Sequence, residues 1–123
     1  MIALIIARPG MLRDGLSGLL SAMPEIKVVS VTANLESALE SVAGSCPSIV
    51  LLEAHGLDAD CLTQVQALKI TCPRTGIIVL VEDLKEAQAC EEGAVDAVLT
   101  KGVPPARLSD TISELLRFSA TAE

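Results

Sequence analysis

The sequence predicts an α/β domain built on a doubly wound, five-stranded parallel sheet with helices on both faces. Three observations carry this reading. Short aliphatic runs alternate with longer segments of helical period along the whole chain. The aliphatic runs are unbroken, as strands covered on both faces require, instead of alternating apolar with polar residues. No hairpin signal joins consecutive runs, so the strands must be parallel and linked by right-handed helical crossovers. A chain of 123 residues fits one domain, expected over residues 1–118, with a flexible tail at 119–123.

Ile2 to Ala7 is a continuous apolar run of strand length. After Pro9 and Gly10, the residues Leu12, Leu16, Leu19, Leu20 and Met23 paint one face of a helix that Pro24 ends. Lys27 to Val31 is the second strand, and Asn34 is a plausible helix cap before the stripe Leu35, Ala38, Leu39 and Val42. Gly44 and Pro47 break the chain ahead of the third strand, Ile49 to Leu52, which ends at Glu53. The next helix has Cys61, Val65 and Leu68 on one face, and Pro73 and Gly76 close that unit. Ile77 to Val81 is the most strand-like stretch, with four β-branched residues in five. A short helix over Leu84 to Glu92 stops at Gly93. Val95 to Leu99 forms the fifth strand, and Pro104 or Pro105 suits the first turn of a last helix with Leu108, Ile112, Leu115 and Leu116 on its buried side.

Composition excludes several classes of function. Half of the residues are hydrophobic, so the chain can build a core, but with one Phe, no Tyr and no Trp it has no stacking platform for bases. The net charge of -7 repels a phosphate backbone. The first apolar run is too short to span a membrane and no signal peptide is evident, so a soluble cytoplasmic protein without membrane contact is expected. Cys46, Cys61, Cys72 and Cys90 lie far apart, without a Cys-x-x-Cys pair or a histidine cluster, and read as small buried hydrophobes in a reducing compartment. No metal or cofactor is expected. The single histidine, His55, is given no role, and Glu82, Asp83, Glu86, Glu91 and Glu92 read as a solvated acidic face. No serine-histidine-aspartate set, glycine-rich phosphate loop or nucleophile elbow is present, so an enzyme is not expected.

Five β-α units of this length are most economically wound in the order 2-1-3-4-5, which places function at the carboxyl ends of the strands. The loops there hold Arg8, Glu53, Glu82 with Asp83, and Lys101. Taken singly, Glu53 and Lys101 could be solvated strand ends of another flavodoxin-like domain, and Arg8 a surface charge. An isoalloxazine site would want aromatic partners that the chain does not offer.

Five stretches together resemble the receiver domain of bacterial two-component response regulators: Arg13-Asp14-Gly15-Leu16, Ser48 to Glu53, Gly76 to Leu80, Glu92-Gly93-Ala94 and Leu99-Thr100-Lys101. The similarity is greatest to the NarL/FixJ-like subfamily, whose members usually precede a helix-turn-helix domain, and it spans Ile2 to Arg117. It implies the same flavodoxin-like sheet. It also marks where this chain departs. Ala7 and Arg8 stand where the family holds Mg²⁺ with carboxylates, Glu53 takes the place of the phosphoacceptor aspartate, Val81 that of the switch hydroxyl and Val98 that of the fifth-strand aromatic. The lysine, Lys101, is kept.

Phosphoryl transfer relies on carboxylate-held Mg²⁺ to neutralise the phosphoryl oxygens. Losing one preorganised stabiliser costs on the order of 3 kcal/mol, and here two carboxylates and a hydroxyl are missing. Glu53 is not expected to be phosphorylated. Its carboxylate reaches about 1.5 Å further than that of aspartate, so Arg8, Glu53 and Lys101 are expected to form an ion cluster with Arg8 in the place of the metal. The resemblance thus implies an atypical, phosphorylation-independent receiver domain, the regulatory and dimerising module of a bacterial transcription regulator. It would be a homodimer, touching DNA only through an output domain outside this chain. The dimer surface would be formed by the first and last helices, or by the fourth helix, fifth strand and fifth helix, where Val95, Val98 and Val103 lie. The alternative is a stand-alone domain that binds a protein or small-molecule effector, with Ala7, Val81 and Val98 giving the strand ends a less polar pocket.

Overall fold

The computed structural model describes residues 2–33, 37–38, 40, 46–53, 59–82 and 95–121, with the backbone alone at 59–64 and 118–121. The elements run β1 (Ile2–Ile6), α1 (Met11–Ser21), β2 (Val28–Thr32), β3 (Ile49–Glu53), α2 (Ala59–Thr71), β4 (Gly76–Val81), β5 (Ala97–Thr100) and α3 (Pro105–Thr121). All strand pairs are parallel, and the sheet order is β2-β1-β3-β4-β5. The expected topology is therefore the observed one. Residues 37, 38 and 40 are helical, while Asn34, Leu35, Leu39, Val42, His55, Asp83, Cys90 and the helix expected over Leu84 to Glu92 lie outside the described residues.

Successive side chains of a strand point to opposite faces, and the core divides accordingly. Leu4, Ile6, Val50, Leu52, Ile77, Val79 and Val81 pack with Ala38 and with Val65, Leu68 and Cys72 of the α2 side. Ala3, Ile5, Ala7, Ile49, Leu51, Ile78 and Leu80 pack with Leu16 and Leu20 of α1 and with Leu108, Ile112 and Leu116 of α3. Two apolar layers explain why β1, β3 and β4 read as unbroken aliphatic runs. At Gly76, α3 lies close to the sheet, since a Cβ there would lie 3.4 Å from that of Leu115.

The edges depart from expectation. In β2, Val28 and Val31 are 49% and 41% exposed, because a strand at the rim is covered less fully than a central one. At the other rim, β5 begins at Ala97, two residues later than expected. The Asp96 N–H donates to the carbonyl of Ile77 at 3.0 Å while the Asp96 carboxylate accepts from the Ile77 N–H at 2.8 Å, so a side chain does the work of a ladder pair there. Asp96 also holds Lys69 at 2.9 Å. Pro105 opens α3, and the carbonyl of Pro104 accepts the N–H groups of Arg107 and Leu108 at 3.1 Å. The helix continues to Thr121, past Phe118.

The cysteines require a correction. Cys46 and Cys72 are joined in a disulfide, with their Cα atoms 5.7 Å apart, and Cys46 is exposed instead of buried. A separation of 26 residues conceals the pairing. The β3-α2 crossover runs up the strand and back down the helix, which returns Cys72 beside the residue that leads into β3.

Ile112 is fully buried between α3 and the sheet. The substitution Ile112→Ala is expected to lower unfolding stability by about 3 kcal/mol, measured by urea titration, with the slope against urea unchanged.

Candidate functional site

Parallel strands in register end together, so four residues remote in sequence lie at one rim. Glu53 closes β3, Glu82 follows the last residue of β4, Lys101 follows β5, and Arg8 lies two residues past β1. The Lys101 N–H donates to the Val81 carbonyl at 2.8 Å, continuing the β4–β5 ladder by one step and fixing the root of the lysine side chain beside β4. From there the Lys101 ammonium lies 2.7 Å from Glu82 Oε1 and 3.5 Å from Glu53 Oε2.

The second oxygen of Glu53 has a different partner. The Ala7 N–H is used by the Thr32 carbonyl at 3.0 Å, on the β2 side of β1. The next N–H, that of Arg8, faces β3 beyond the last ladder pair, Ile6 with Leu52, and it donates to Glu53 Oε1 at 3.1 Å. A peptide group that would have lost its strand partner is thereby satisfied by a carboxylate. One carboxylate oxygen is held by the backbone and the other faces an ammonium.

Of the expected ion cluster of Arg8, Glu53 and Lys101, the structure brings the Glu53 and Lys101 side chains to 3.5 Å and leaves the Arg8 guanidinium out. Arg8 contributes its peptide N–H; its side chain is exposed, and among the described residues no ion pair joins its guanidinium to Glu53. Being two residues beyond β1 and followed by Pro9, the Arg8 side chain is not constrained by the sheet. Glu82, assigned from sequence to a solvated acidic face, makes the shorter contact with Lys101. Its signal was positional: it lies one step past β4, the strand adjacent to the one that delivers the lysine. Val81 is fully buried, Val98 is partly buried against the same layer, and Ala7 is buried on the opposite face. Ala7 and Val81 therefore belong to the core layers. A crevice of about 190 Å³ between α1 and α3 is lined by Met11, Leu12, Leu16, Leu80, Lys101 and Leu108.

The resemblance places carboxylate ligands for Mg²⁺ at positions 7 and 8, where this chain has Ala7 and Arg8. These residues do not fit it. Position 7 offers a buried methyl group, position 8 an exposed guanidinium, and the carboxylates of Glu53 and Glu82 both face Lys101. Oxygen ligands are what this cation demands.

The side chains of Glu53 and Lys101 are 11% and 16% exposed, whereas that of Glu82 is 64% exposed. Removing the ammonium strands a shielded carboxylate, but removing Glu82 frees a solvated contact. Lys101→Met is expected to cost about 1–2 kcal/mol and Glu82→Gln less than about 0.5 kcal/mol, both read by chemical denaturation. A double-mutant cycle on the pair Glu53→Gln and Lys101→Met should show positive coupling that 1 M salt, with its Debye length of about 3 Å, reduces only partly.

No family model and no curated protein matches the sequence. Solved structures do. A signal receiver domain of an HD domain-containing protein from Pseudomonas fluorescens Pf-5 superposes with a TM-score of 0.83 at 23% identity, covering 98% of this chain and 90% of that one. A LuxR family DNA-binding response regulator from Silicibacter pomeroyi gives 0.80 at 20% identity, covering 95% and 92%. A CheY-like protein from Pseudomonas aeruginosa PAO1 gives 0.76 at 16% identity, covering 94% and 98%. Strand order, parallel pairing and near-complete superposition together give this chain the receiver-domain fold of response regulators.

Proposed function

We propose that this chain is an atypical receiver domain that works without phosphorylation, as the regulatory and dimerising module of a bacterial cytoplasmic transcription regulator. One observation carries the proposal. Both oxygens of Glu53 are engaged by this chain's own groups, the Arg8 N–H at 3.1 Å and the Lys101 ammonium at 3.5 Å. Acyl-phosphate chemistry at this carboxylate would have to proceed beside a buried methyl and an exposed guanidinium where metal ligands are needed. Glu53 instead acts as a permanent partner of Lys101. It partly imitates a phosphorylated aspartate, with one negative charge against the phosphoryl group's about two. Val81 provides no hydroxyl to follow such a group, and the rim is static.

The regulatory part of the reading is supported by neighbours described as DNA-binding response regulators of the LuxR family, from Silicibacter pomeroyi and Staphylococcus aureus. In this proposal DNA contact belongs to an output domain outside these residues, in keeping with a net charge of -7. Among the described residues no helix is long and apolar enough to cross a membrane.

The test is direct. Incubation with acetyl phosphate and Mg²⁺ is expected to leave the intact mass unchanged, and the sedimentation profile, with its monomer–dimer balance, is expected to be the same before and after. A stable phosphoryl adduct on Glu53, or a change of assembly on addition of the phosphodonor, overturns the proposal.

A further inference from the structure

We propose that Cys46 and Cys72 form a reversible thiol–disulfide pair, opened by attack of a glutathione-type peptide thiol on the Cys46 sulfur, that serves as a redox-sensitive clamp at the end of the sheet opposite Glu53. This proposal is independent of the receiver reading. The two cysteines are unequal: Cys46 is exposed, whereas Cys72 is 2% exposed and packed into the core layer of Val65 and Leu68. Thiol–disulfide exchange needs access to the sulfur under attack, which favours the exposed residue, Cys46, over the buried Cys72. The pair borders an open crevice of about 370 Å³ that is also lined by Pro47, Ser48, Arg74 and Thr75. That volume is within the size range of small-molecule sites, about 300–1,000 Å³.

The chemistry balances as ordinary exchange. A thiolate attacks Cys46 Sγ and forms a mixed disulfide; the Sγ–Sγ bond breaks, and its electron pair departs on Cys72 Sγ, which takes a proton from water. A second thiolate attacks the sulfur of the bound tripeptide, releasing the oxidised dimer of the small thiol and leaving Cys46 as a thiolate that is then protonated. Two electrons pass from two small thiols to the protein, and the small disulfide drives the reverse. Uncatalysed exchange of this kind takes minutes to hours. A reducing cytoplasm holds such a pair as the dithiol, and an oxidising episode closes it.

Opening the bond removes the covalent tie between the segment that leads into β3 and the end of α2, and it leaves non-covalent ties in place. The Thr75 hydroxyl donates to the Pro47 carbonyl at 2.7 Å, the Gly76 N–H donates to the Ser48 carbonyl at 3.1 Å, and the Lys69 ammonium donates to the Thr75 carbonyl at 2.7 Å. The reduced domain therefore keeps its fold and loses stability. Releasing a 26-residue loop is expected to lower Tm by on the order of 10 °C.

The test uses the whole chain. Trypsin separates residues 28–69, which contain Cys46 and Cys61, from residues 70–74, which contain Cys72. After diamide and alkylation, the non-reduced map should show these peptides joined, with fragmentation locating the bond at Cys46. Millimolar reduced glutathione should open the bond in the native protein within hours, and a mixed disulfide, where trapped, should be on Cys46. Wild-type Tm should fall on reduction, and Cys46→Ser should match the reduced value and ignore reductant. Separate peptides, a bond from Cys61, a tripeptide adduct on Cys72, or a link that survives overnight in glutathione each overturns the proposal. If Cys46→Ser does not fold, the wild-type map and the wild-type melting shift decide.

Discussion

The parallel registration of β1, β3 and β4 is the constraint on which the rest of the molecule depends. Ile6 pairs with Leu52, Glu53 with Leu80 and Val81 with Thr100, so the strands finish at a common rim. A ladder of this kind leaves backbone groups unpaired at each strand end, and those groups need partners. At the carboxyl rim the Arg8 N–H finds the Glu53 carboxylate, and at the amino rim the Ile77 N–H finds that of Asp96. Each acid then faces a lysine, Lys101 in one case and Lys69 in the other. The two ends of the sheet thus solve the same problem in the same way, with a carboxylate that terminates the ladder and an ammonium that balances its charge.

The rims nevertheless differ in what they can do. At the carboxyl rim a shielded carboxylate and a shielded ammonium meet, with Glu82 outside them in solvent. Two acids share one lysine, and Arg8 adds a peptide dipole while its charge stays in water. Such an arrangement ties the carboxyl ends of β1, β3, β4 and β5 to one another. It is a lock made of charges, and its strength rests on how little water reaches the Glu53–Lys101 contact. At the amino rim the lock is covalent, between Cys46 and Cys72. A covalent lock responds to electron donors, whereas an ionic lock responds to the solvent and to competing charges.

Much of this was legible in the sequence, and for a physical reason. Burial on both faces demands unbroken aliphatic runs, and parallel neighbours demand crossovers, so Ile49 to Leu52 and Ile77 to Val81 announce a parallel sheet before any coordinates are known. The helical stripes of Leu16 with Leu20, and of Leu108 with Ile112, follow from the 3.6-residue period. Strand order and strand ends then point to Arg8, Glu53, Glu82 and Lys101 as neighbours. Less legible were the sheet edges. Val28 and Val31 carry the same aliphatic chemistry as central residues, and only their place at the rim leaves them exposed.

The sequence by itself determined the layers, the order of the strands and the set of charged residues that end them, because these depend on periodicities a single chain carries within it. Tertiary structure alone decided which atoms meet. It chose the peptide N–H of Arg8 over its guanidinium, brought Glu82 nearer to Lys101 than Glu53, and joined Cys46 to Cys72. Such contacts turn on differences of an ångström or two between groups 19 to 45 residues apart. No local pattern encodes them, since they are set by where the packed sheet places each strand end and by which backbone donors the ladder leaves unpaired.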